Sequence, residues 1–171
     1  HFDAFKSYNY PILAEAGISI NYNFNALKKP EKFTFSYHKG FDSSVSVLHF
    51  FPGIDIRHIS YAIKNPDIKV FVLLTYGSGN LPINEKLISL IKKQTQKGKI
   101  FLNVSQCKAG KVEQGKYETG QQLLEVGVVG VKDMTLESAL AKAMFLLDKN
   151  KKNRSSFVKE FLTIKAGEFT N

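Results

Sequence analysis

From Val45 onward the chain alternates short apolar runs with longer segments whose apolar residues recur every three or four positions. Val45-Ser46-Val47-Leu48-His49-Phe50-Phe51 reads as a strand and stops at Pro52-Gly53, a turn pair. Ile56 to Lys64 sets Ile59, Ala62 and Ile63 on one side and predicts a short helix. Lys69 to Leu74 is a continuous β-branched and apolar run, the pattern of a strand covered on both faces. Asn84 to Lys97 carries Leu87, Ile88, Leu90 and Ile91 as an apolar stripe, with Gly98 where a left-handed cap is wanted.

Ile100 to Val104 is a second buried strand, and Ser105 to Glu118 reads as a loop. Thr119 to Val126 predicts a helix, and Gly127 to Val131 a short apolar return. The strongest helical signal follows, with Thr135 as N-cap and Leu136, Ala139, Leu140, Ala143, Met144 and Leu147 on one face. A final helix is predicted over Ser155 to Ile164.

Residues 1–32 read as an arm. Asn9 and Pro11 interrupt its apolar residues, Ala14-Glu15-Ala16-Gly17 reads as a turn, and Ile18 to Tyr22 as an alternating strand. The polar stretch Lys28-Lys29-Pro30-Glu31-Lys32 is a linker, so the domain proper is expected over 33–171. Strands that alternate with helices predict an α/β domain of three layers around a mostly parallel sheet. In that architecture the loops after Phe51, Leu74 and Val104 share the carboxyl edge of the sheet, where open α/β folds bind ligands.

Composition narrows the class without changing the fold. With 43% hydrophobic and 23% charged residues, disorder and collagen are excluded. No apolar run approaches the ~18 residues of a membrane span, so no membrane partner is expected. One cysteine, Cys107, excludes an internal disulfide framework and fits a reducing, cytoplasmic compartment. The formal charge of +9 concentrates at Lys92, Lys93, Lys97, Lys99, Lys149, Lys151, Lys152 and Arg154, at or beyond predicted helix ends. Cations there complement the helix dipole, and with no nucleic-acid motif in the chain no nucleic-acid partner is expected. The opening residues His1-Phe2-Asp3-Ala4-Phe5, lacking an initiator methionine or a signal, lead to the expectation of an upstream part.

Candidate chemistry is sparse. Gly77-Ser78-Gly79-Asn80 follows a strand, yet the third glycine of a dinucleotide fingerprint falls on Pro82. A tight loop is the simpler reading, although the Asn80 amide both donates and accepts and suits a small amide or amino-acid ligand. Cys107 lacks a base in any local signature and reads as a small buried or ligand-lining thiol. His49 and His58 lack metal-ligand spacing; Asp55, Asp67 and Asp133 read as caps of turns and helices. Neither cofactor nor catalytic engine is predicted from these residues.

Longer strings add a family resemblance. Tyr76-Gly77-Ser78-Gly79-Asn80-Leu81-Pro82, Asn103 to Val112, Gly115-Lys116-Tyr117-Glu118-Thr119-Gly120 and Gly127 to Leu140 resemble, in order, the C-terminal domain of cytoplasmic (type I) L-asparaginases. Phe2 to Asn9, continuing to Glu15-Ala16-Gly17, is similar to that family's interdomain segment. The resemblance implies a Rossmann-like domain of an amidohydrolase that converts L-asparagine and water to aspartate and ammonia through a threonine nucleophile. The family's T-G-G-T and D-G-T-D strings, which hold its catalytic threonines, do not occur here, so this chain alone is expected to be inactive. The implied partners are L-asparagine, an N-terminal catalytic domain of the same protein, and further copies in a homodimer or homotetramer. Asn80 matches an asparagine that reaches a neighbouring subunit's substrate, and Tyr76 and Cys107 match residues of an effector site. Leu74 stands where the family often has an arginine, which removes the usual partner for an effector carboxylate. A free-standing amino-acid-binding or assembly domain, and a component of a tRNA amidotransferase, are the alternatives.

Overall fold

The computed structural model describes residues 6–28, 35–82, 84–149 and 154–170. The chain forms two compact units, residues 1–39 and 40–171. The linker expected at Lys28 to Lys32 lies, apart from Lys28, outside the described residues, as do Phe2 to Phe5 of the arm.

In the first unit β1 (Ala14–Ala16) pairs antiparallel with β2 (Ile20–Tyr22), Ala16 opposite Ile20. Of the turn expected at Ala14 to Gly17, the first three residues are a strand, and the reversal falls on Gly17 and the two residues after it. Gly17 N donates to Ser19 O at 3.0 Å to close it, and Asn23 N reaches Leu13 O at 2.8 Å beyond the strand ends. A short run with one glutamate between alanines carries no periodicity signal, and cross-strand pairing decides its state.

The second unit holds β3 (Val45–His49), α1 (Ile56–Lys64), β4 (Val70–Thr75), α2 (Glu85–Gln96), β5 (Ile100–Ser105), α3 (Glu118–Glu125), β6 (Val129–Gly130), α4 (Leu136–Lys149) and α5 (Arg154–Phe161). The sheet runs β3-β4-β5-β6 and every pair is parallel, with Val45 beside Val70, Val70 beside Ile100 and Leu102 beside Val129. Period-2 geometry sends alternate side chains to opposite faces. Val70, Val72, Ile100, Leu102 and Val104 meet α4 and α5, through Ala139, Ala143, Leu146, Phe157 and Phe161. Phe71, Leu73 and Phe101 meet α1, α2 and α3, through Ile59, Ile63, Leu87, Ile91 and Leu123. Phe71 and Phe101 stack with centroids 5.3 Å apart. This is the three-layer α/β fold expected, with two helical layers around a parallel sheet.

Local chemistry sets the helix ends. Asp55 Oδ1 accepts from Arg57 N at 2.8 Å, Asn84 Oδ1 from Leu87 N at 3.0 Å, and Thr135 Oγ1 from Ser138 N at 3.3 Å. Gly98 adopts φ +94° after α2, as a left-handed cap requires. Asp67 is different: its backbone N donates to Asn65 Oδ1 at 3.0 Å, so Asn65 makes that turn. The last helix ends at Phe161, three residues before the expected Ile164. Thr163 Oγ1 occupies the Lys159 carbonyl at 2.8 Å, and Lys142 Nζ draws the Thr163 carbonyl at 2.7 Å. Both contacts divert groups that would continue the helix.

The tail that follows is held at two points. Asp133 accepts from Thr170 N at 2.8 Å and Thr170 Oγ1 at 2.7 Å, so it ties down the C-terminal segment and does not cap a helix. Lys142 Nζ lies 2.8 Å from Glu168 Oε1, with the rings of Phe161 and Phe169 at 5.6 and 5.3 Å.

Candidate functional site at the carboxyl edge of the sheet

Parallel pairing of β3, β4 and β5 brings the loops after Phe51, Leu74 and Val104 to one edge, as the sequence led us to expect. Gln106 joins all three. Its backbone N donates to Thr75 O at 2.9 Å, and its side-chain Nε2 to Phe50 O at 2.5 Å and Leu74 O at 2.9 Å. Leu74 O also accepts from Phe50 N at 3.1 Å, so Gln106 adds a second donor there and ties the ends of β3, β4 and β5 together.

The Tyr76–Asn80 loop is a tight reversal. Tyr76 N donates to Asn80 O, and Gly79 N and Asn80 N both donate to Tyr76 O, each at 2.9 Å. Beneath it lies a buried polar relay: Thr75 Oγ1 donates to Asn103 Oδ1 at 2.6 Å, and Asn103 Nδ2 to Gly79 O at 2.9 Å. Both Thr75 and Asn103 are fully buried, so each hydrogen bond replaces a solvation that burial removes. Gly79 adopts φ +108°, and a Cβ there would stand 2.8 Å from Val112 Cγ1 and 2.9 Å from Asn103 Nδ2. Only glycine meets both the backbone conformation and the close approach.

Asn80 itself is half-buried. Its Oδ1 accepts from Thr119 Oγ1 at 2.7 Å, and its Nδ2 has one long contact, 3.4 Å, with Ser78 Oγ. Thr119 lies in the first turn of α3, so this bond ties the helix start to the loop after β4. The loop after β5 is bound to the same edge: Ser105 Oγ donates to Gly77 O at 2.6 Å and accepts from Cys107 N at 3.1 Å, while Glu113 N reaches Ser78 O at 3.0 Å.

Of the residues singled out from the sequence, Tyr76, Asn80 and Cys107 thus sit on neighbouring, mutually bonded loops. Cys107 is exposed, which removes the buried reading of the thiol. The Tyr76 hydroxyl is buried without a hydrogen-bond partner among the described residues. Leu74 is half-buried and packs against the α4–α5 core. Flanking charge comes from Lys111 and from Lys116, which pairs with Glu113 at 2.9 Å. That hydrogen bond, then the charges of Lys116 and Lys111, hold the Glu113 carboxyl below its usual range. Thr119 and Gln106 were not singled out. Their partners lie 39 and 32 to 56 residues away, so nothing in their local spacing marks them.

The model of the glutaminase/asparaginase C-terminal domain matches residues 44–160, which covers the whole sheet, all the loops above and the helices on both faces. The chain belongs to this family. The domain is 35% identical over 147 residues to L-asparaginase 1 of Escherichia coli K12, covering 85% of this chain and 43% of that protein. The crystal structure of L-asparaginase I from Vibrio cholerae is similar at a TM-score of 0.88 and 36% identity, over 98% of this chain and 50% of that one. A glutamyl-tRNA(Gln) amidotransferase component of Thermoplasma volcanium is 31% identical over 169 residues, 99% of this chain and 40% of that protein. The asparaginase C-terminal domain described here therefore spans about half the length of the relatives it matches, or less. Among the described residues no helix is long and apolar enough to cross a membrane.

Proposed function

We propose that this domain is the C-terminal part of a cytoplasmic L-asparaginase, which hydrolyses L-asparagine to aspartate and ammonia in a homodimer or homotetramer. On this reading the reaction's threonine nucleophile belongs to an N-terminal catalytic domain of the same protein. The present domain, with its boundary near residue 33, is inactive alone. It provides oligomer contacts and places Asn80 in a neighbouring subunit's active site, where the amide hydrogen-bonds the substrate. Tyr76 and Cys107 line an effector position whose carboxylate partner Leu74 cannot be.

The observation that carries the reading is the Tyr76–Asn80 loop, fixed at the carboxyl edge by Asn103 and Thr119, in a chain of this family. The chemistry fits: a small, uncharged donor held rigidly is suited to a neutral amino-acid amide. In the intact protein Asn80→Ala should lower kcat/KM for L-asparagine by about tenfold or more, the loss of one substrate hydrogen bond. Oligomerisation should be unchanged, and the thermal unfolding midpoint should fall by no more than the loss of the single hydrogen bond to Thr119 explains. Wild-type kinetics in that variant, measured by ammonia release, would take Asn80 out of the site.

The similarity to the Thermoplasma amidotransferase component, which extends over 99% of this chain, favours a second reading in which ammonia passes to glutamyl-tRNA(Gln). Ammonia release from L-asparagine without any tRNA supports the first reading. Release that requires glutamyl-tRNA(Gln) and a second protein supports the other.

A further inference from the structure

Asn80 has a carboxamide whose two ends are nearly the same shape and opposite in hydrogen-bonding sense. Which end faces a ligand is decided by what holds the other end. Here the carbonyl end is held: Thr119 Oγ1 donates to Oδ1 at 2.7 Å, the ordinary distance for a hydroxyl donor. The amide end is not: its contact with Ser78 Oγ, at 3.4 Å, lies beyond good N–H···O distance. Thr119 is half-buried in the first turn of α3, whose Gly120 and Leu123 are buried. Reversing the amide would turn the hydroxyl into an acceptor from NH2 at 2.7 Å, shorter than the usual N–H···O distance, and would take from the Thr119 proton the acceptor it has here.

We infer that Thr119 is a positioning residue. It fixes the Asn80 carboxamide with Nδ2 outward, so the ligand atom Asn80 meets is a hydrogen-bond acceptor, a carboxylate or carbonyl oxygen, and not an ammonium group. This rests on the reading that Asn80 contacts the substrate, and it adds which end of the substrate Asn80 recognises and what orients it.

The test is steady-state kinetics with L-asparagine in the intact protein containing this chain, for Asn80→Ala, Asn80→Asp, Thr119→Val, Thr119→Ser and the Thr119→Val/Asn80→Ala double variant. Thr119→Val should raise KM about 3- to 10-fold with kcat within about twofold, the signature of lost uniform binding. Thr119→Ser, which keeps the donor, should restore KM to within about twofold of wild type. In the Asn80→Ala background Thr119→Val should add nothing, because the two act through one contact. Asn80→Asp should be as impaired as Asn80→Ala, since its carboxylate still accepts from Thr119 but offers no N–H.

Impairment in Asn80→Ala with wild-type KM in Thr119→Val overturns the positioning role alone. So does a Thr119→Ser as impaired as the valine variant, or an additive double variant, since either marks a structural effect. Wild-type KM in Asn80→Asp overturns the donor assignment. Should Thr119→Val fail to fold, as thermal unfolding would reveal, Thr119→Ser and Asn80→Asp still decide the matter. A fully active Asn80→Ala removes the underlying substrate contact, a different failure from any of these.

Discussion

At Gly79 the backbone stands at φ +108° with two side chains within 3 Å of where a Cβ would go, Val112 and Asn103. Asn103 cannot move aside, because its amide is fixed at both ends by Thr75 and Gly79 inside the fold. Gly79→Ala should therefore destabilise the domain by about 2 kcal/mol or more, read as a fall in denaturation midpoint, from strain and a disrupted buried hydrogen bond. An unchanged midpoint would mean that the loop relaxes freely and does not fix Asn80. The same residues show what local sequence could and could not reveal. Tyr76, Asn80 and Cys107 lay in recognisable strings and their loops do share an edge. Thr119 and Gln106 lie in two of the same strings, but their partners are 39 and 32 to 56 residues away, so no window of sequence shows what they bond.

Among the elements, those whose ends carry their own chemistry were legible: the helix over Ile56 to Lys64 is the observed α1, with Asp55 as its cap, and α2 and α4 begin after Asn84 and Thr135. The elements settled by distant partners were not, as β1 and the early end of α5 show. Within α4 the periodicity placed Leu140 on the apolar face, and the structure refines this: Leu140 is half-buried, while Ala139, Ala143 and Leu146 are fully buried. Leu146→Ala should cost about 2–5 kcal/mol in chemical denaturation, the usual range for a buried leucine removed from a packed core. Leu140→Asp should be milder than loss of folding, because its charge can reach water at the rim. The opposite ranking of the two variants would mean the face is mis-assigned.

The contact between α4 and the C-terminal segment carries a pH dependence. Burial raises the Glu168 pKa, but the hydrogen bond from Lys142 and those from the Ala166 and Lys165 amides outweigh it and bring the value down to about 2 from an ordinary 4.5. A carboxylate whose folded pKa is depressed stabilises the fold fully above its unfolded pKa. That contribution is lost as pH falls from about 4.5 to about 2. The wild-type domain should lose about 2 kcal/mol through this group across that window, and Glu168→Gln should show a correspondingly shallower acid decline in urea unfolding. Parallel pH profiles for the two proteins would show that the Lys142–Glu168 pair does not couple to folding.

For the molecule as a whole, the family and the fold are shown and the activity is the reading built upon them. The domain presents a rigid loop edge, with Asn80 held by its carbonyl, and spans about half or less of the matched relatives' length. An edge of this kind is useful when another surface completes the site, and the central claim is that the surface belongs to a second copy of the protein. Mixing of protomers tests this most directly. Two variants of the intact protein are prepared, Asn80→Ala and one in which the proposed threonine nucleophile is replaced, each of low activity. They are then dissociated, mixed in equal amounts and reassociated. If Asn80 acts across the interface, half the dimers are mixed and each holds one complete site, so ammonia release from L-asparagine should recover to about a quarter of wild type. Mixed oligomers that form yet show no recovery would contradict the account, because each site would then draw Asn80 and the nucleophile from the same protomer and carry one of the two defects.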